Sequence, residues 1–191
     1  GLVGLRPTYG RVTRHGAIPM CWSMDTVGPM ARSVRDCAIT LQVIAGYDSG
    51  DPTSSREPVP DYLATIENEV DGLRIAVIDE MFDADVLDIA TKAAVELAIA
   101  TLVECGCKVQ RLSAPSTLYS GGAFIAIADV EAATFHSKWL HARHDEYDKN
   151  TRVRLEAASL MPTSGYIKGC QVMSLIRKEL TGILKQCDVI A

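Results

Sequence analysis

The sequence predicts an α/β fold in which a mixed sheet is flanked by helices and only part of the sheet lies within the chain. Three observations support this prediction. An apolar strand at 72–78, an Ala-rich helix at 86–105 and a strand at 108–112 form a βαβ unit, whose strands pair in parallel. From residue 120 onward the apolar residues recur at helical spacing only. Residues 188–191 then resemble the start of a returning strand.

The elements before the βαβ unit are predicted from local signals. Residues 1–5 have the Gly and apolar pattern of the tail of a buried strand, and Gly and Pro keep residues 11–25 as loop or short strand. Ser33 opens a capping box, and the helix that follows continues until Gly46. Residues 47–71 form a surface connection, because their first part is rich in Asp, Ser, Gly and Pro.

Residues 120–187 are predicted to form a helical cover. Helices are expected at 123–141 and 151–160. A third helix carries an apolar stripe formed by Val172, Ile176, Leu180, Ile183 and Cys187. Residues 1–46 are then interpreted as the end of a core, and residues 72–112 as the βαβ unit. Because strand-like segments lie at both termini, we expect that an N-terminal part and the C-terminal end of the domain are absent from this chain.

The composition is that of a soluble globular protein. The 191 residues are 48% hydrophobic with a formal net charge of −5, which excludes a disordered chain and a small disulfide scaffold. Neither nucleic acid nor a membrane is an expected partner, because there is no run of Lys or Arg and no apolar stretch of about 20 residues. The first residues lack a secretory pattern, and the six Cys lie mostly in apolar segments, so we expect reduced thiols and a cytoplasmic location.

Short chemical motifs are weak in this sequence. His141 and His144 could share a helix face as metal ligands, but a solvated helix end is the preferred interpretation. The Cys pair around Gly106 is interpreted as a helix end, and Asp48 with Asp51 as a plain turn. Residues 120–122 are either an N-cap followed by loop glycines, which is preferred, or an anion site. No metal or cofactor is expected.

Two longer motifs resemble the amidase signature family. Residues 1–12 read GLVGLRPTYGRV and residues 23–34 read SMDTVGPMARSV, in the order and spacing that the family has. The resemblance extends over nearly all of the chain and implies the amidase signature fold. It also implies amide hydrolysis through a Ser acyl-enzyme, in which a Lys draws a proton through a bridging cis-Ser. In the family all three residues precede the segment that matches Gly1, so no catalytic residue is expected in this chain.

The resemblance also directs attention to the loop before the second motif. An apolar run is formed by Pro19, Met20, Cys21 and Trp22. Packing in the core is its preferred interpretation, and the alternative is that Met20, Cys21 and Trp22 line the acyl or leaving-group pocket. Asp25 is expected to order backbone amides in its loop rather than act as a base, and it belongs with Gly28 and Pro29 to the structural motif. The expected partners are a small-molecule amide substrate and the missing N-terminal part of the same protein, with a homodimer left open.

The resemblance leaves the kind of amidase open. The A component of the glutamine-dependent transamidosome is expected to carry a segment like EASSNLxRYDG, whereas residues 131–138 here read EAATFHSK. This difference favours a general hydrolase of small amides, and the transamidosome component is the alternative. A non-catalytic fragment or interaction module is the alternative from another class.

Overall fold

The computed structural model describes residues 1–82 and 87–191, which form two compact units. The first unit comprises Gly1–Asn68 and Glu131–Leu155, and the second comprises Glu69–Val130 and Glu156–Ala191. The helices and the parallel strands confirm the α/β class.

The elements follow one another in an α/β order. The strands are β1 (Val3–Gly4), β2 (Met30–Ala31), β3 (Arg74–Ile78), β4 (Lys108–Leu112) and β5 (Val189–Ile190). The α-helices are α1 (Val34–Ile44), α2 (Asp79–Phe82), α3 (Ile89–Glu104), α4 (Ser120–Ala142), α5 (Lys149–Ser159) and α6 (Thr163–Ile183). Two 3₁₀ helices, Pro115–Tyr119 and His144–Glu146, flank α4. No described helix combines the length and apolar composition that a membrane crossing requires.

The first unit contains a small antiparallel sheet. Strand β1 pairs with β2, and beyond this pair the Leu5 amide donates to the carbonyl of Pro29 at 3.0 Å. A strand is present within the predicted segment 1–5, but the prediction that it is buried is wrong for the described structure. Only two residues pair, so Leu2 lies outside the ladder and is 64% exposed.

Helix α1 confirms the predicted local signals. The Ser33 hydroxyl accepts a hydrogen bond from the Asp36 amide, and Cys37, Ala38 and Leu41 are buried. The helix ends at Ile44, and Ala45, one residue before Gly46, is its C-cap. Farther along, Asp48 and Asp51 each accept a backbone amide two residues on, from Gly50 and Thr53, so this segment is the predicted turn.

The second unit is built on a parallel sheet in the order β4-β3-β5. The predicted parallel pairing is present, with Ile75 opposite Val109 on one side and Val189 on the other. Strand β3 is buried from Ile75 onward because it is the central strand. Its buried side chains share a core with residues from other elements: Ala76, Ile78, Ala114, Ile183 and Cys187.

The helices of the second unit differ from the predictions at their ends. Helix α3 is capped by Asp88, and the predicted start at residue 86 lies outside the described residues. It ends at Glu104, and Gly106 turns the chain with a φ of +90°. Helix α4 begins at Ser120, so the preferred interpretation of residues 120–122 as an N-cap with loop glycines is wrong. The preceding 3₁₀ helix runs directly into α4 and makes these residues helical.

Helix α6 follows most of the predicted apolar stripe. Ile176 and Ile183 are buried, and Gly169 allows α6 to approach Ala126 of α4, because an added Cβ would lie 3.0 Å from the Cβ of Ala126. Cys187, the last residue of the predicted stripe, lies beyond the helix, yet it is buried in the core near β5. The predicted returning strand is present as β5.

Candidate functional site

A cavity of about 360 Å³ in the first unit is bounded by the loop that precedes β2. Ile18, Met20 and Trp22 line it from this loop, and Arg14 and His15 line it from the preceding segment. Trp22 is 61% exposed and Met20 is also exposed, so neither side chain has the surroundings of a core residue. The cavity lining therefore combines exposed apolar side chains with polar ones, among them Arg14, Asp25 and Asp51.

The carboxylate of Asp25 holds this loop in place. Its Oδ2 atom accepts hydrogen bonds from the amides of Met20 at 2.8 Å and Cys21 at 2.9 Å. Bonds to an ionised acceptor are stronger than bonds between neutral groups. Asp25 thus fixes the backbone that presents Met20 and Trp22 to the cavity.

Arg14 forms the polar wall of the cavity. Its guanidinium donates to the Trp22 carbonyl at 2.7 Å, to the Tyr9 hydroxyl at 2.8 Å and to Thr53 Oγ1 at 2.7 Å. It also lies 3.8 Å from the Asp51 carboxylate and 4.6 Å from the centre of the Tyr9 ring. Arg14 therefore connects the Trp22 loop to the turn at Asp51.

Asp51 is held ionised by its hydrogen bonds. The Thr53 hydroxyl donates to Oδ1 at 2.6 Å and the Arg14 amide donates to Oδ2 at 2.9 Å. These bonds, chiefly the one from Thr53, with a smaller contribution from the Arg14 charge, lower the pKa of Asp51 to about 2. This carboxylate is consequently a structural anion at neutral pH and a poor general base.

Cys21 does not line the cavity. It is 2% exposed, and its thiol lies 3.3 Å from Glu131 Oε2, which also accepts the Ser23 amide at 2.8 Å. Burial raises the pKa of the Cys21 thiol, and the neighbouring Glu131 raises it further. The thiol therefore stays protonated at neutral pH and is separated from Met20 and Trp22, because alternate residues of the loop point in different directions.

Gly28 and Pro29 lie where the chain crosses the end of β1. A Cβ at Gly28 would meet the Leu5 carbonyl oxygen at 2.0 Å and Pro7 Cδ at 2.7 Å. Only glycine fits this crossing without a backbone shift. Pro29 is buried and supplies the carbonyl that pairs with Leu5.

The weaker candidate ligands do not converge. His141 Nδ1 lies 2.7 Å from the Ser137 carbonyl of its own helix, whereas His144 lies in a 3₁₀ helix beside Asp145. The residues that the structure describes contain no group of three or more His, Cys, Asp or Glu side chains arranged to hold a metal ion.

Sequence reasoning misses Arg14 and Asp51 as parts of this site. Arg14 and Asp51 are 37 residues apart, and no local pattern links them. Glu131 carries no local signal of its bond to the Ser23 amide, which spans 108 residues. The one available signal is the turn at Asp48 and Asp51, which the sequence predicts as a plain local turn.

Comparison with known proteins places this geometry in a family. The family model for amidases matches residues 1–191. The A subunit of glutamyl-tRNA(Gln) amidotransferase from Roseiflexus sp. (strain RS-1) is 36% identical over 214 residues, and the chain spans 44% of that protein's length.

Two solved structures match almost the whole chain. One, from "An unexpected vestigial protein complex reveals the evolutionary origins of an s-triazine catabolic enzyme", matches with a TM-score of 0.89 and 27% identity over 98% of this chain and 40% of its own. The A subunit of glutamyl-tRNA(Gln) amidotransferase from Thermotoga maritima matches with a TM-score of 0.80 and 29% identity, over 99% of this chain and 41% of its own. On the strength of the match along its full length, the chain belongs to the amidase signature family.

Proposed function

We propose that this chain is part of an amidase that hydrolyses a small carboxylic amide to an acid and ammonia or an amine, and that it supplies a wall of the substrate cavity. Membership of the amidase family supports the reaction class. The cavity of about 360 Å³ beside Met20 and Trp22 supports the role of this chain in binding substrate, because its volume is within the range of small-molecule sites.

In the proposed reaction a serine outside this chain attacks the amide carbonyl, and a lysine draws the proton through a second serine. The C–N bond breaks, the ammonia or amine leaves with that proton, and water then hydrolyses the acyl-enzyme to the acid. The residues of this chain bind and orient the substrate: Met20 and Trp22 contact its acyl or leaving group, and Asp25 and Arg14 keep the loop in a fixed position. A preorganised loop avoids the entropy cost of ordering it on binding. Cys21 has no part in the pocket that we propose.

A second candidate function is that of the A component of a transamidase. The relatives named as glutamyl-tRNA(Gln) amidotransferases, at 31–37% identity, support it. The general hydrolase remains our preferred proposal because residues 131–138 depart from the segment expected in that component.

Six free thiols, four of them buried, support the expected cytoplasmic location.

The two candidates are separated by measuring ammonia release from the full-length protein. We expect release from simple amides such as propionamide without any partner protein. If ammonia is released from glutamine but from no simple amide, and only when tRNA and partner proteins are present, the result would contradict the hydrolase and support the transamidase.

The 191-residue chain by itself tests where the catalytic residues lie. We expect no acyl-enzyme when it is incubated with an activated ester such as p-nitrophenyl acetate and analysed by intact-mass spectrometry. The full-length protein is the matched control and should gain one acetyl group. Stoichiometric acetylation of a serine in the isolated chain would overturn the proposal that the nucleophile lies outside it.

A further inference from the structure

A second cavity, of about 390 Å³, lies in the same unit on the other side of Ile18. It is lined by one aliphatic side chain, three aromatic ones and a pair of opposite charges: Ile18, His136, Trp139, Tyr147, Arg143 and Glu146. All six residues belong to the first unit. Nothing in the reaction proposed above uses this cavity.

The aromatic side chains of this cavity are held in place by one another. His136 Nδ1 lies 2.9 Å from the Tyr147 hydroxyl, and the two rings meet edge to face with centroids 5.8 Å apart. The rings of Phe135, His136 and Trp139 form a triangle, with Trp139 5.7 Å from His136 and 5.4 Å from Phe135. Trp139 nevertheless keeps 45% of its surface exposed. A fixed and partly uncovered indole is suited to stacking with a planar ring.

The charges at the edge of the cavity compensate each other. The Arg143 guanidinium contacts both oxygens of Glu146, with Nε 3.0 Å from Oε1 and a terminal nitrogen 2.9 Å from Oε2. A bidentate pair of this kind leaves no net charge facing the cavity. The occupant that this lining favours is therefore neutral as well as planar.

Ile18 joins this second cavity to the first. Its side chain is 72% exposed and lines both. The two tryptophans of the chain are divided between the cavities, with Trp22 in the first and Trp139 in the second. A substrate that extends past Ile18 would thus contact one tryptophan at each end.

We propose that the second cavity is a subsite for a neutral planar aromatic group of the substrate, adjoining the first cavity across Ile18. The assignment to substrate rests on the proposed amidase function. It narrows the preferred substrates to aryl amides whose ring stacks on Trp139, and it gives Ile18 the role of the partition between the two halves of the molecule.

The test uses full-length protein labelled with 5-fluorotryptophan and followed by ¹⁹F NMR. Spectra of Trp22→Phe and Trp139→Phe assign the resonances of these two residues. Titration with benzamide should shift the Trp139 resonance saturably, whereas propionamide at equal concentration should leave it in place. A Trp139 resonance that benzamide does not move would overturn the subsite, whether or not amides are hydrolysed.

Kinetics then distinguish the subsite from the reaction itself. For Trp139→Ala the ratio of KM for benzamide to KM for propionamide should rise at least tenfold, while Tyr119→Ala, which removes an exposed aromatic ring of the second unit, should leave that ratio within twofold. An unchanged ratio in Trp139→Ala would refute the subsite while leaving the amidase proposal intact. A protein that shifts its Trp139 resonance with benzamide but hydrolyses no amide would refute the amidase proposal and the assignment to substrate.

Discussion

Replacing Asp25 by Ala should release the loop that lines the first cavity. The substitution removes the acceptor that both the Met20 and Cys21 amides share. Hydrogen bonds to charged groups contribute about 1.5–3 kcal/mol each, which corresponds to roughly a 10- to 100-fold change in the opening equilibrium of each amide. Asp25→Asn keeps an oxygen acceptor without the charge, so its effect should be smaller, roughly fivefold for each amide.

Hydrogen exchange measured by mass spectrometry reads this effect directly. A peptide covering residues 18–24 of the full-length protein should exchange faster in Asp25→Ala than in Asp25→Asn, and faster in both than in the unsubstituted protein. Peptides of β3 and β4 are the internal control and should be unchanged. Equal protection of residues 18–24 in all three proteins would refute the role given to Asp25, as would a uniform acceleration along the whole chain.

Four further predictions concern stability and specificity, and each is tested in the full-length protein. Gly28→Ala should lower the free energy of unfolding by about 1–3 kcal/mol, because the added methyl group would overlap the Leu5 carbonyl. Gly4→Ala is the control, and an equal melting temperature for the two variants would contradict the close approach at Gly28. Ile78→Ala should cost about 2–5 kcal/mol, whereas Ile89→Ala should change stability by less than about 0.5 kcal/mol; equal losses in thermal unfolding would argue against a core centred on β3. Trp22→Ala should change the preference among amides of different acyl size. A uniform loss of activity together with a lower melting temperature would instead show that Trp22 packs in the core. Hydrogen bonds, chiefly from the Thr53 hydroxyl to Asp51 and from the Arg74 guanidinium to Asp188, lower the pKa of each carboxyl to about 2, from roughly 3.9 in the unfolded chain. Their contribution to stability is therefore present above about pH 4 and is lost as the pH falls toward 2. Urea midpoints of Asp51→Asn and Asp188→Asn should depend less on pH in this interval, and an unaltered pH dependence would contradict the assignment.

The parts of the fold that could be predicted are those with short-range causes. Ser33 caps α1 through an amide three residues away, and Gly106 ends the α3 connection through its own backbone conformation. The parallel pairing of β3 with β4 could be predicted because two strand-like segments are separated by one helix. In each case the physical reason lies within a short stretch of chain, which is what a sequence pattern reports.

The parts of the site that could not be predicted depend on distant contacts. Met20, Cys21 and Trp22 are consecutive apolar residues, and nothing in their immediate sequence distinguishes them. The structure separates them, because the Cys21 thiol meets Glu131, 110 residues away, while Met20 and Trp22 face the cavity. The position of Ile18 between two cavities likewise depends on where α4 places Trp139, and neither residue carries a local signal of this.

The pairing of β3 with β5 has a consequence for how the chain folds while it is being synthesised. The Arg74 amide and guanidinium both donate to Asp188, which lies 114 residues farther along the chain. At about 5–20 residues per second, roughly 6–23 s of translation pass between these two residues. Until β5 is synthesised β3 can pair at most with β4, once β4 has been made, and its other edge, at Ile75 and Ala76, is an apolar strand with open backbone groups. The open edge of β3 can therefore pair with other chains until β5 has been synthesised, and slowing translation between β4 and β5 would lengthen its exposure to aggregation.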